Sequence, residues 1–308
     1  MTALAIDGTT PGPAVTAPPE KAQAGSSRMR LYVRRFLRNK PAVGGLVGFV
    51  LLVAFALAGG AATTWHYTDI DLLALTAPPG GTHIFGTNNV GGDIYAQVVH
   101  GLGRTLIIAL SVSAVTLVIA AFLGGLAAYV GGKPQTVILG IINFLLACPA
   151  FLMMAIVAQK TGGNWVMLIV VLTLFGWMIM ARVVWQMSTS IREREYVWAA
   201  RYMGVPGPMV VLRHIVPNIG SLLVVQFILG IVSTVIQETA LSFLGFGIKI
   251  PDVSLGSLLT NGQQTLATMP WAFYFPAGTL TLLTISVALM ADGIRDALDP
   301  NSAAGGRA

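Results

Sequence analysis

Glu195-Tyr-Val-Trp-Ala-Ala-Arg-Tyr-Met-Gly204 is a charged stretch in a chain that is otherwise almost entirely apolar. A Val-Pro-Gly-Pro break follows it directly, and a further apolar run leads to Val216-Pro-Asn218. Good helix formers fill the first part, whereas the glycine and the two prolines that follow favour a turn. The stretch therefore predicts a helix, a break and a second short helix, which together form a compact knob between two membrane spans.

The composition of the chain excludes an ordinary soluble domain. Hydrophobic residues make up 55% of the 308 residues and charged residues 10%, whereas a soluble protein carries about 25% charged residues. Runs free of Lys, Arg, Asp and Glu are long enough to hold the roughly 20 apolar residues of a spanning helix. They predict an all-α integral membrane fold with six spans, near 42–63, 105–130, 137–158, 164–186, 219–241 and 272–292. The polar stretch 254–270 is expected to be a surface loop.

The basic residues predict the orientation of the spans. With the N-terminus inside the cell, fifteen of the eighteen Lys and Arg residues fall on the inner side, and Arg104, Lys160 and Lys249 fall outside. An excess of basic residues on the cytoplasmic side is the usual bias of multi-pass proteins. We therefore expect a multi-pass protein of the cell membrane with both termini cytoplasmic. The net charge of +6 is explained by this bias and does not indicate nucleic-acid binding.

The chain divides into four parts. Residues 1–27 are rich in Ala, Pro, Thr and Gly and are expected to form a disordered cytoplasmic tail. Residues 28–41 form a basic amphipathic lead-in suited to lipid headgroups. Residues 42–300 hold the six spans, with the cytoplasmic loop at 188–218, and residues 301–308 form a short tail.

The loop at 188–218 has the properties of a docking device. Ser188 or Ser190 is predicted to cap the first helix, and Gly204 to stop it. Ala199 and Ala200 would leave a small-residue face that a groove on another protein could receive. On shape alone, an interfacial linker helix explains the same pattern equally well.

This loop resembles the "EAA" loop of ABC-importer permeases, which docks on a separate ATPase. The matching positions are Ala199, Ala200, Gly204, Val216 and Pro217. Trp198 stands where the motif has its leading Glu, and Glu195, one helical turn earlier, could replace part of that charge. The resemblance implies that these residues couple the chain to an ATPase, and the departure at Trp198 argues against one defining salt bridge.

Further segments resemble the "C" subunit of the dipeptide, oligopeptide and nickel branch of these permeases. In chain order they are the lead-in Arg35–Lys40, the segment His83–Ile94, the segment Glu238–Gly247, the pair Pro270-Trp271 and the ending Asp292–Pro300. Asn88 and Gly92 depart from the branch, which has Asp and Arg there. The resemblance covers about residues 30 to 300 and implies the type I ABC-importer permease fold.

The resemblance also implies partners and a function. A second, homologous permease subunit would complete the translocation path, two ATPases would bind the coupling loops, and an extracytoplasmic substrate-binding protein would deliver ligand. ATP and Mg would be bound by the partners, so the chain itself would hold no cofactor and would not be an enzyme. Its Gly132-Lys133-Pro134 lacks the pattern of a phosphate-binding loop. The implied function is half of the path of an ATP-driven peptide importer that works by alternating access.

Isolated polar residues yield weaker predictions. Glu238 is expected near the outer end of a span, with a structural or gating role. Asp93 lies in the outer segment, where it is a candidate for docking the binding protein. Asn143 and Gln226 are expected to bond neighbouring helices rather than a ligand. The single Cys148 and the scattered histidines form no metal or catalytic pattern.

Three alternatives stay open at this stage. A self-sufficient channel or ion-driven carrier would also be polytopic, but it would need no ATPase. A membrane-embedded enzyme is disfavoured because no paired acids or metal ligands occur at membrane depth. Within the importer class, nickel complexes or haem could replace peptides as the cargo.

Overall fold

The computed structural model describes residues 25–298, with side chains from Arg30 onward. The predicted tails 1–27 and 301–308 lie outside these residues, apart from 25–27, which begin the first helix. The described chain is helical, and the helices run in the order α1 Gly25–Arg38, α2 Lys40–Ala58, α3 Ile94–Val130, α4 Gly132–Ala147, α5 Ala150–Gln159, α6 Trp165–Arg192, α7 Glu195–Tyr202, α8 Gly207–Val210, α9 Gly220–Phe243, α10 Leu255–Gln264 and α11 Trp271–Leu298. Short π and 3-10 turns at Val211–Ile215 and Val216–Ile219 join α8 to α9.

Five segments of the described chain are long and apolar enough to cross a membrane, namely Lys40–Ala62, Ile94–Val130, Trp165–Arg192, Gly207–Phe243 and Trp271–Leu298. The span predicted at 137–158 is instead the pair α4 and α5, which bend by 74° against each other. Pro149 follows α4 and lacks an N–H, and it holds Cys148 in an extended conformation (φ −74°, ψ 139°), as a following proline favours. The described residues therefore hold five candidate spans, or six if the bent pair crosses as one.

The start of α3 and the stretch 254–270 also differ from the prediction. Helix α3 begins at Ile94, well before the predicted residue 105, because Asp93 caps it by accepting a hydrogen bond from Ala96 N. Its 37 residues extend about 55 Å, more than the hydrocarbon core of a bilayer needs. The surface loop predicted at 254–270 is wrong, since it contains α10. There Ser254 and Ser257 form a capping box, and the apolar residues that follow are buried.

Glycines let the long helices approach closely. A Cβ added to Gly45 of α2 would lie 2.6 Å from the carbonyl oxygen of Ser286 in α11. A Cβ added to Gly124 of α3 would lie still closer to the carbonyl oxygen of Ala181 in α6, and α3 with α6 is the most extensive helix pair of the described chain. In lipid, packing drives helix association, and small residues permit such contacts. Gly45 and Gly124 are positions of this kind, whereas Gly44 faces open space.

The bundle has two distinct ends, because α3 runs from one to the other. The loop end carries residues 63–93 and α10, near the start of α3. The knob end carries residues 193–210, which we call the knob, near the end of α3. The main core lies between α3, α9, α10 and α11, where Leu102, Ile231, Leu255 and Leu283 are buried. This core fixes the helices from which both ends project.

Candidate functional site

Helix α6 continues into the region predicted as the start of the loop. Ser188 is buried within it, and the Ser190 hydroxyl donates to the Met187 carbonyl. The prediction that one of these serines caps the next helix is therefore wrong. No glycine or proline interrupts the chain there, and α6 ends at Arg192. Helix α7 begins at Glu195 without a side-chain cap.

One face of α7 packs against the rest of the protein. Val197 and Ala200 are each 2% exposed and lie against Val210 and Tyr129. The two residues are three apart, so they share a face of the helix. Ala199 is exposed, and Ala200 therefore does not share a small-residue docking face with it, as the sequence had suggested. Ala200 holds the knob to the bundle instead.

Gly204 ends α7 as predicted. Its φ of +76° lies in the left-handed region that favours glycine. The Val205 N–H donates to the Ala200 carbonyl, and the Gly204 N–H donates to the Arg201 carbonyl. This pair of bonds is the Schellman motif, which satisfies carbonyls at a helix end. A Cβ at Gly204 would meet nothing within 4 Å, so only the backbone conformation requires glycine.

Helix α8 returns the chain to the bundle. A Cβ on Gly207 would lie 2.7 Å from the Tyr129 ring of α3, so glycine permits close contact there. Beyond α8 the backbone widens into the π turn Val211–Ile215. Pro217 cannot donate to the carbonyl of Arg213 and would crowd it in a regular helix, and the wider turn accommodates it. Pro217 itself is exposed and lies where the knob meets α9.

The outward face of α7 is aromatic. Trp198 is 39% exposed and stacks on Tyr202, which is 82% exposed, with ring centroids 5.9 Å apart. Arg201 lies 5.7 Å from the Trp198 ring and 5.6 Å from the Tyr129 ring. Met203, 75% exposed, extends the same surface. Exposed aromatic residues beside an arginine are typical of energetic centres in protein interfaces.

The acidic residues of the knob have different environments. Glu193 pairs with Arg192, which also donates to the Ala128 carbonyl at 3.2 Å. Glu195 is exposed in the first turn of α7, where a negative charge is favoured by the helix dipole. Glu193 therefore helps to fix α6 to α3, and Glu195 leaves its carboxylate on the surface.

At the loop end, Glu238 is buried, with 1% exposure. Its Oε1 accepts hydrogen bonds from Ser254 at 2.6 Å and from Ser242 at 3.0 Å. Gly256 lies against the carboxylate, since a Cβ there would be 2.8 Å from Oε2. Because Ser254 caps α10, Glu238 ties the start of α10 to α9. The geometry fits the structural role predicted for Glu238.

Asp93 is also buried, with 1% exposure. Besides capping α3, it lies 2.8 Å from Nδ1 of His83, whose Nε2 is 3.5 Å from Asp71. The ring of Trp65 covers His83, with centroids 4.8 Å apart. Asp93 therefore presents no accessible carboxylate to a partner, and any influence on docking would act through the shape of residues 63–93.

Sequence reasoning missed a polar cluster around Asp252. The Asp252 carboxylate lies 2.8 Å from Nε2 of His100 and 2.7 Å from Nη2 of Arg104. The Arg104 guanidinium lies 4.2 Å above the Trp165 ring, and Tyr67 stacks on His100. Burial raises the pKa of Asp252, but the hydrogen bonds with His100 and Arg104 outweigh it and leave the pKa below its usual range. The sequence does hold one indication of this cluster, because Arg104 and Asp252 each stand at the end of a run without charged residues.

Two of the segments quoted for the resemblance, His83–Ile94 and Pro270-Trp271, meet at the loop end. The Trp271 indole donates to the Thr87 carbonyl at 3.1 Å, and Phe85 stacks on Phe275 at 3.9 Å. Asn88 accepts from the Gly92 N–H at 2.8 Å, so the two departures from the branch form one turn. Among residues 25–298, no group of three or more His, Cys, Asp or Glu side chains could hold a metal ion.

Comparison with known proteins identifies the family of the chain. Residues 118–303 match the family described as binding-protein-dependent transport system inner membrane component. Residues 27–79 match the N-terminal TM domain of oligopeptide transport permease C. The chain is 42% identical to the oligopeptide transport system permease protein OppC of Mycobacterium tuberculosis over 279 residues, 90% of this chain and 96% of the relative. The Bacillus subtilis protein of the same name is 30% identical, with 86% and 87% covered. The chain belongs to the family of binding-protein-dependent transport system inner membrane components.

Proposed function

We propose that this chain is a transmembrane permease subunit of an ATP-driven importer of oligopeptides. The observation that carries the proposal is the knob, whose inner face is tied to α3 and whose outer face exposes an aromatic pair. Relatives named as oligopeptide permeases match along nearly the whole chain, which favours peptides over nickel complexes. A second permease, two ATPases and a substrate-binding protein complete the machine.

The proposed orientation places the knob in the cytoplasm and the loop end outside. The bent pair α4 and α5 then serves as one of six spans, and both termini are cytoplasmic. The basic residues support this arrangement, because Arg192, Arg194, Arg201 and Arg213 lie at or beside the knob, and basic residues favour the cytoplasmic side.

The knob is connected to two spanning helices, so that it can transmit a displacement to them. Its buried contacts join it to α3, and Pro217 leads directly into α9. A movement of α7 would therefore displace two spanning helices as a unit. Trp198, Tyr202 and Met203 form the surface for the ATPase, with Ala199 and Glu195 beside them. Trp198 puts an aromatic ring where the EAA motif has its leading Glu. Contact with the ATPase therefore depends on burial of this ring more than on an ion pair.

The loop end is the proposed seat of the binding protein. Residues 63–93 expose apolar side chains, with Leu73 99% and Leu72 76% exposed. Such exposure is typical of interaction surfaces when neighbouring residues are polar. Glu238 and the Asp252 cluster keep α3, α9 and α10 together beneath that seat, and Asp93 maintains the conformation of the segment.

Reconstitution tests the function. The chain and its co-purifying partners are placed in proteoliposomes with ATP on the knob side, and uptake of a labelled tetrapeptide is measured with the binding protein on the other side. We expect accumulation only when ATP and the ATPases are present. Equal flux without ATP or ATPases would contradict the proposal and favour a channel or an ion-driven carrier.

A second experiment tests the coupling role of the knob. Gly204→Glu places a charged side chain beside the proposed ATPase surface. We expect the complex to keep hydrolysing ATP while peptide uptake falls, because movement of the ATPases is no longer transmitted to the spanning helices. Gly204→Asn is the matched control, since asparagine tolerates the left-handed conformation and adds no charge. Normal uptake by the Gly204→Glu complex would contradict the coupling role.

A further inference from the structure

Helix α9 carries a polar stripe along its length. Gln226, Ser233 and Gln237 are separated by seven and four residues, which places them on one face of the helix. Gly230 lies between them on the same face. Lipid cannot satisfy amides and hydroxyls, so such groups in a span face the protein interior or a water-filled cavity.

The stripe borders a cavity of about 430 Å³ between α3, α5, α6 and α9. Thr116 and Ser113 of α3 face it from one side, and Gly176 of α6 and Met154 of α5 complete its wall. Among the described residues that line it there is no Asp, Glu, Lys, Arg or His. The cavity therefore presents neutral polar groups at membrane depth on an otherwise largely apolar wall, and the described residues that line it carry no charge.

Several hydrogen-bonding groups at the cavity are unused. The Ser113 hydroxyl is buried and has no hydrogen-bond partner within the described chain. The Gln237 amide nitrogen donates to Ser233 at 3.0 Å, which leaves its oxygen free to accept. Gln226 was predicted to bond a neighbouring helix, but no such bond is formed among residues 25–298. Ser233 is exposed and Gln226 is half-buried, and polar groups at membrane depth need a polar partner, so these open groups indicate a polar ligand or water.

We infer that this stripe is a substrate-contact wall that binds the main-chain amides of a passing peptide. The inference rests on the proposed function and assigns the residues through which this subunit meets its cargo. Neutral amides and hydroxyls match the N–H and C=O groups that every peptide presents. A wall without charge neither selects nor rejects a peptide by its side-chain charge, which suits a carrier of varied sequences.

Cysteine labelling tests whether the stripe faces water. In the assembled complex with Cys148→Ala, the variants Gln226→Cys and Ser233→Cys are treated with a membrane-impermeant thiol reagent. Val224→Cys is the control, since Val224 lies two residues from Gln226 on the opposite face of α9 and borders an apolar groove. We expect labelling at 226 and 233 to be at least about tenfold faster than at 224, because only an ionised thiol reacts. Equally slow labelling at all three positions would overturn the inference and show that lipid or another subunit covers the stripe.

A charge exchange tests contact with the cargo. Gln226→Lys and Gln226→Asp complexes take up acidic and basic tripeptides in competition, with the same binding protein throughout. Relative to the unsubstituted complex, we expect the ratio of acidic to basic uptake to rise for Gln226→Lys and fall for Gln226→Asp, each on the order of tenfold. An unchanged ratio in two variants that still import would overturn the inference. If the unsubstituted complex imports no peptide, the proposed function fails instead, while the labelling result still decides whether the stripe faces a water-filled path.

Discussion

The two ends of the bundle use their side chains in opposite ways. At the loop end, the charged residues Glu238, Asp93 and Asp252 are buried or half-buried and are paired within the chain. At the knob end, the distinctive residues Trp198, Tyr202 and Met203 are exposed, and small or aliphatic residues make the internal contacts. The difference indicates that the paired charged residues of the loop end maintain its shape, whereas the aromatic residues of the knob end are left open to contact.

The largest effect is expected at the loop end, from Glu238→Leu. This change preserves bulk but removes the acceptor for the buried hydroxyls of Ser242 and Ser254, and each stranded donor costs about 1–3 kcal/mol. We expect the free energy of unfolding to fall by about 3 kcal/mol, measured by thermal unfolding in detergent. Glu238→Gln keeps an acceptor and should lose far less. Equal stability of the two variants would show that the bonds to the serines do not hold α10.

The knob end should respond to Trp198→Ala by losing a partner rather than its fold. Truncating an interface aromatic of this kind typically costs about 2 kcal/mol or more, which is roughly a thirtyfold loss of affinity. We expect less ATPase to co-purify while thermal unfolding is unchanged. Val197→Ala is the matched variant on the opposite face of α7. It should lower stability by about 2 kcal/mol through two lost methyl groups and affect ATPase binding less. The reverse pattern would contradict the assignment of the two faces.

A smaller effect is expected at Gly204, where only the backbone demands glycine. Gly204→Ala should cost about 1 kcal/mol, because an alanine at φ near +76° is strained. Gly204→Asn should cost less, since asparagine adopts this conformation more readily. Thermal unfolding of the two variants measures the difference. A loss of more than about 3 kcal/mol from Gly204→Ala would mean that the added methyl group meets a neighbour.

The smallest effect is a pH dependence at the loop end. The pKa of Asp252 is lowered in the folded protein by His100 and Arg104, so its contribution to stability is present above the unfolded pKa of about 4. It is lost as the pH falls through the lower folded pKa. We expect the midpoint temperature of unfolding to decrease as the pH is lowered below about 4. The decrease should be less steep in Asp252→Asn. Parallel curves for the two proteins would exclude Asp252 as a source of the acid sensitivity.

Much of this comparison could be predicted from the sequence, because charge-free runs and glycine-proline breaks are local signals. They predicted five of the spans, the knob and its stop at Gly204. The kink at Pro149 was visible in the sequence but was read as part of a continuous span. The sequence did not predict α10 because polar residues alternate there with the apolar residues that pack inward. Ala199 is exposed and Ala200 is buried because of the rotation of α7 about its own axis. Long-range packing against Val210 decides that rotation.

Site residues that act in pairs were the hardest to predict. Asp252 meets Arg104 across 148 positions, and no local pattern links them. Gln226 was expected to bond another helix because most polar residues in spans do. The cavity beside it exists only because four helices leave space between them, and the sequence of α9 alone does not reveal it.

The central claim is that the knob docks on an ATPase from the cytoplasm while the loop end faces outward. Photo-crosslinking in cells tests both parts at once, with a photoreactive amino acid replacing Tyr202 in the knob or Ile250 at the loop end, both strongly exposed. We predict that the probe at 202 captures an ATPase subunit and the probe at 250 does not. Capture of the ATPase from position 250 but not from 202 would contradict both the orientation and the coupling role of the knob.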